Sequence, residues 1–259
     1  MITLFLKNQT VQIDAGELIS YQVDGNEYIH QKGSPGWRNA DTEMFPIIGP
    51  TAYANFNVHT PKGIAIQDQH GLLRELSYQI IEETATSAIF QKTYKANTEV
   101  DNSKYPAKSA EKHLKWPYDF KFQKRFQLTE NGLEVSFIIS GENGMPFMLG
   151  YHPAFNLVSE NPFVIANDKE ISLTDVLAVG SRALQVENCN KISLKDKNTI
   201  QIKTEGFGNF MLWTEVKNMI CIEPITFYPY AVSQSNLSEG FEFLDKTDRT
   251  FKIHISVKK

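Results

Sequence analysis

The chain of 259 residues is 41% hydrophobic and 22% charged, the make-up of a globular protein with a sizeable core, in one large β domain or two ordinary ones. A net charge of −4 argues against nucleic acid or an anionic membrane as the main partner, and no apolar run reaches the roughly 20 residues that span a bilayer. Two cysteines, Cys189 and Cys221, exclude a disulfide framework, and an N-terminus polar by Lys7 is too short for a secretory signal, so a cytoplasmic protein is expected.

The 17 Phe and 10 Tyr favour sheets. Strand signals come first at Ile2 to Leu6 and Glu27 to Gln31, then at Leu73 to Glu82 and Ala88 to Tyr94. From Tyr118 to Leu128 the even positions read Tyr118, Phe120, Phe122, Lys124, Phe126 and Leu128, while the odd ones are polar, so this strand has one buried face. Asn131-Gly132 supplies a turn, and Leu133, Val135, Phe137 and Ile139 resume the period of two, which predicts a hairpin. Further strands are expected at Ile200 to Lys203, Phe210 to Trp213, Met219 to Glu223 and Phe251 to Val257. No segment of 12 or more residues carries a helical stripe, and no repeat or composition shift divides residues 1–259. Many short strands with turns predict an antiparallel sandwich or barrel in a single domain.

One long irregular stretch runs from Ala96 to Pro117 and holds Lys104, Lys108, Lys112, Lys115 and His113. Such loops are functional or disordered. The favoured reading is a solvated, mobile excursion with one helical turn near Ala110. The other is a lid or charged rim over a cleft.

Two segments place a proton-transfer side chain directly before a proline: Tyr151-His152-Pro153 and Ile222-Glu223-Pro224. Proline drives the preceding residue to extended geometry, so both side chains are expected at strand ends. In a strand, Ile220 and Ile222 face one way and Cys221 and Glu223 the other, so both faces are partly buried. Desolvation there would raise the carboxyl pKa and make Glu223 a better base. A strand-end Glu bonded to backbone amides or an arginine accounts for the segment equally well. His152 alone reads more readily as a core or turn residue. In Gln69-His70-Gly71-Leu72-Leu73-Arg74, Gly71 would leave His70 exposed at a loop and Arg74 entering the next strand, or the segment is an ordinary turn. Trp37-Arg38 on a Gly/Pro-rich loop suits a sugar face, or is a packed turn with an exposed Arg38. Trp213 is a stacking platform or core. The remaining histidines are structural or solvated. No metal-ligand spacing, nucleophile elbow or phosphate loop occurs, and Cys221 reads as a small core residue.

Together these segments resemble the aldose 1-epimerase (galactose mutarotase-like) family, in its shorter, divergent branch. Phe45-Pro46-Ile47-Ile48-Gly49 is similar to the family's early loop, His70-Gly71 and Tyr151-His152-Pro153 to its two histidine motifs, and Glu223-Pro224 to the segment of its catalytic glutamate. The resemblance implies an all-β, antiparallel β-supersandwich whose concave face forms the sugar cleft, acting as a monomer or homodimer. It implies that Glu223 takes the proton of the C1 hydroxyl of a cyclic aldose and His152 protonates the ring oxygen, from opposite sides of one pyranose-sized hollow. His70 and Arg74 would bind hydroxyls, with Arg38 a further binding candidate. No cofactor or metal is required. Pro50 stands where relatives often carry an arginine, and Asp175 matches a substrate-binding aspartate by rough position only. The substrate is then a monosaccharide, or a phosphosugar given the lysine-rich stretch; the alternative is a non-catalytic carbohydrate-binding or sensing protein on the same scaffold.

Overall fold

The computed structural model describes residues 1–245 and 248–258. In its two largest sheets every strand pairing is antiparallel. The larger has nine strands, in the order Lys169–Ser172, Phe163–Ala166, Lys191–Lys195, Thr199–Glu205, Arg249–Lys258, Gly132–Gly141, Phe120–Thr129, Ser87–Tyr94 and Gln79–Glu83. The C-terminal strand lies mid-sheet, between Gly132–Gly141 and Thr199–Glu205, and so joins both halves of the chain into one surface. The smaller sheet runs Leu184–Val186, Asn209–Trp213, Met219–Ile225, Gly150–Tyr151, Glu43–Met44, with Ala154–Asn156 also paired on Met219–Ile225.

The period-two rows explain how these sheets meet. Phe120, Phe122, Lys124, Phe126 and Leu128 are all buried, and Thr129 pairs with Gly132 across a two-residue turn at Glu130 and Asn131. Their face packs on the smaller sheet: Phe122 meets Phe45 at 5.3 Å between ring centroids, and Phe137 meets Tyr151 at 5.1 Å. Lys124 interrupts this apolar row, with no exposed surface. A buried ammonium is costly unless paired. Two carboxylates from the smaller sheet's side meet it, Asp41 Oδ2 at 2.8 Å and Glu43 Oε1 at 2.6 Å.

Three expectations change. Leu73 to Glu82 is not one strand: Leu72–Glu75 forms a 3₁₀ turn burying two consecutive leucines, and the strand begins at Gln79. Glu27 to Gln31 shortens to a strand at Asn26–Glu27, because the Glu27 carboxylate accepts the backbone N–H groups of Tyr28 and Ile29. In the lysine-rich stretch, Val100–Asp101 pairs with His113–Leu114, and the single helical turn falls at residues 104–108, with Lys108 N–H donating to the Lys104 carbonyl at 2.7 Å. Buried Asn102 ties this loop to Asp68 (2.9 Å) and, within the loop, donates to Ser109 (3.0 Å). The one α-helix among the described residues, Leu173–Val179, is short, and no described helix is long and apolar enough to cross a membrane.

Candidate active site

Met219–Ile225 is an interior strand whose two faces do different work. Ile220 and Ile222 enter the main core. Met219 and Cys221, on the other face, join Ala154, Trp37 and Trp213 in a small separate cluster. Strand alternation puts Glu223 on that second face, and it is 1% exposed. Burial pushes its carboxyl pKa up to about 8, against the opposing pull of Arg74.

His152 sits at the break between Gly150–Tyr151 and Ala154–Asn156, where Pro153 has no N–H to continue a ladder. Its backbone N–H donates to the Thr42 carbonyl at 2.8 Å. Its Nε2 lies 3.3 Å from Glu223 Oε1. Trp37 stacks on the ring at 4.2 Å and Trp213 meets it edge-on at 6.0 Å. Burial, and then the charge of Arg74, push the imidazole pKa down to about 3. Near neutrality the two groups therefore share one proton, held on Glu223. The expectation of opposite sides is corrected: the pair is in contact on one wall.

His70 (φ 71°) and Gly71 (φ 79°) make a left-handed turn against the Phe45-Pro46 loop. A Cβ on residue 71 would stand 2.3 Å from the Phe45 carbonyl oxygen, which explains the glycine. His70 Nδ1 accepts the Gly49 N–H at 3.2 Å, and its Nε2 lies 3.1 Å from the Gln69 side-chain amide nitrogen. The ring lies 6.3 Å from that of His152, and burial, with Arg74 and His152, holds its pKa well below the usual imidazole range. Arg74 leaves the 3₁₀ turn, not a strand, and its Nε donates to the Glu43 carbonyl at 3.0 Å, while Nη2 is buried without a hydrogen-bond partner. Burial lowers its pKa to about 10, which leaves it cationic.

These four side chains line one cavity of about 410 Å³ with Trp37, Trp213 and Tyr230. Lys104, Lys108 and Arg182, with Glu215 among them, line it as well, so the loop supplies the charged edge that was one of its two readings. Arg38 is exposed and does not line the cavity; its neighbour Trp37 does. Asp175 lies elsewhere, closing a capping box with Ser172 at the start of the helix. Arg182 and Tyr230, stacked at 5.4 Å, carried no signal in the sequence. Nor did His30, which is buried with Nε2 2.9 Å from the Trp37 carbonyl and steadies the loop holding that platform. Cys221 Sγ lies within 4.8 Å of the ligand atoms of His152 and Glu223, a spacing a cation could bridge, but burial pushes its thiol pKa well up.

This antiparallel β-sandwich is the fold of galactose mutarotase-like proteins. A galactose mutarotase-like protein from Lactobacillus casei ATCC 334 superposes with a TM-score of 0.82 at 18% identity, covering 99% of each chain. A galactose mutarotase related enzyme from Lactobacillus acidophilus gives 0.78 at 20%, covering 100% of this chain and 99% of its own. The plasmid-borne protein LacX of Lactococcus lactis subsp. lactis is 24% identical, with 92% of each chain covered. The family model described as aldose 1-epimerase matches residues 16–224, and the chain belongs to that family. Family and fold support a role as a sugar epimerase or mutarotase.

Proposed function

We propose that the protein is an aldose mutarotase, interconverting the α and β anomers of a hexose or closely related sugar. The observation that carries this reading is the contact of His152 Nε2 with Glu223 Oε1 at the wall of a monosaccharide-sized cavity. The two oxygens of a hemiacetal share one carbon, so an acid and a base in mutual contact can each reach one of them. Once the shared proton passes from Glu223 to His152 across their contact, Glu223, as carboxylate, takes the proton of the C1 hydroxyl. The freed O–H electrons form the C1 carbonyl, the bond from C1 to the ring oxygen breaks, and that oxygen takes the proton of the His152 imidazolium. Rotation about C1–C2 presents the other carbonyl face. Closure reverses both transfers, so the pair ends with the single proton it began with and no cofactor is consumed.

Other groups serve binding. Trp37 and Trp213 offer aromatic surface to the apolar face of a pyranose. His70 and the cationic Arg74 add polar groups to the same lining. The rim of Lys104, Lys108 and Arg182 suits a sugar with an anionic substituent, so a hexose 6-phosphate should bind more tightly than the free hexose; equal affinity would remove that refinement.

Exchange NMR on an equilibrium mixture of anomers tests the reading. The native protein should accelerate interconversion, and Glu223→Gln and His152→Ala should each lower the rate by about two orders of magnitude or more. Sugar-induced shifts at Trp37 and Trp213 with exchange at the buffer rate would instead make this a carbohydrate-binding protein.

A further inference from the structure

A second cavity, of about 500 Å³, lies beside the first and shares Arg74 and Lys104 with it. Nothing in the proton transfers above uses it. We propose that this cavity is a separate binding site for a neutral, polyhydroxylated ligand such as a sugar unit.

Its wall is polar and carries charges of both signs, Glu17, Asp41, Glu43 and Glu75 beside Arg74, Lys92 and Lys104. Glu17 is paired with Lys32, and its Oε1 accepts the Ala40 N–H at 2.7 Å. Glu75 accepts from Ser103 at 2.9 Å, and Lys104 is held by Asp68 at 3.0 Å. Asp41 and Glu43 share Lys124, and Lys92 donates to the Leu73 carbonyl at 2.9 Å. An ion of either sign entering here meets like charge as well as opposite charge, whereas a neutral ligand meets no repulsion. What remains open is hydrogen-bonding capacity of both kinds. Asp41 is 3% exposed; its Oδ2 takes Lys124 and the Tyr151 hydroxyl (2.5 Å), while its Oδ1 has no partner. Arg74 Nη2 is a buried donor likewise without one. A buried polar atom left unmatched is costly, so a group that both donates and accepts is favoured at this wall. A hydroxyl is such a group. The ring of Tyr78 and the side chain of Leu76 add apolar surface, the second ingredient of a saccharide site.

The test is a titration of the isotope-labelled full chain with D-glucose, D-galactose and myo-inositol, followed by NMR. Amide shifts of Leu76, Ser77 and Ser103 should saturate with at least one probe, on an isotherm distinct from that of the Trp213 indole. Ser77→Trp, at an exposed position of the second wall, should abolish those shifts and leave anomer exchange within about twofold of native. Asn39→Trp, exposed on the same wall, provides an independent block if the first variant folds poorly. Silence at Leu76, Ser77 and Ser103 with all three probes overturns the site, as does their response to inorganic phosphate in place of the polyols. Shifts at these amides without any at Trp213, and without accelerated exchange, would keep this site and remove the mutarotase.

Discussion

His152 and Glu223 are each unsuited to their chemistry alone and suited to it as a pair. With pKa values near 3 and 8, the neutral imidazole and protonated carboxyl hold one proton between them over most of the pH range. The reactive arrangement, carboxylate beside imidazolium, has the same proton count. The rate at low sugar concentration should therefore follow the singly protonated pair, flat near neutrality, falling above pH about 8 and again toward about 3. A rate that climbs steadily through pH 8 would place the base elsewhere. The same shifts act on stability with opposite signs. His152, lowered from 6.5, contributes fully above that pH, and its contribution is lost as pH falls toward 3. Glu223, raised from 4.5, contributes most below that pH, and its contribution is lost as pH rises toward 8. Glu223→Gln removes the second penalty, so its urea midpoint should exceed the native one above pH 8 while activity is lost.

At the scale of elements, the His70-Gly71 turn shows how backbone geometry aims a side chain. Gly71→Ala would set a Cβ against the Phe45 carbonyl at a positive φ, and should cost roughly 1–3 kcal/mol in urea denaturation and weaken sugar binding through His70. Gly208→Ala, with open space and ordinary φ, serves as the control and should change stability by no more than about 1 kcal/mol. Much at this scale was legible in the sequence. The alternation over Tyr118 to Leu128 matched the strand Phe120–Thr129, and Met219 to Glu223 lay within Met219–Ile225, because a period of two is a local property. Leu72–Glu75 escaped because two adjacent buried leucines imitate a strand when read without their turn. The partners of each element escaped too. Arg182 reaches the cleft from a turn after the helix, and Arg38 misses it one residue from Trp37; sequence fixes neither which way such a loop residue points nor what stands opposite.

Across the whole molecule, one buried ionic cluster joins the sheets behind both cavities. Lys124 comes from the nine-stranded sheet; Glu43 and Tyr151 come from the smaller one, with Asp41 just before it. Two members reach toward the cleft: Tyr151 precedes His152 in the chain, and the Glu43 carbonyl holds Arg74. The sequence showed Lys124 only as a lysine in an apolar row, since its two carboxylates lie some eighty positions away. Removing one partner of such a cluster leaves buried charge unmatched, whereas replacing the whole cluster with neutral groups of similar shape costs far less. Lys124→Met should therefore destabilise by about 3–5 kcal/mol, because Asp41 and Glu43 lose their shared cation. Adding Asp41→Asn and Glu43→Gln to Lys124→Met should restore a large part of that loss, so that the three substitutions are strongly non-additive in urea midpoints. If Lys124→Met alone shifts stability by no more than about 0.5 kcal/mol, as a solvated lysine would, the cluster does not hold the sheets together.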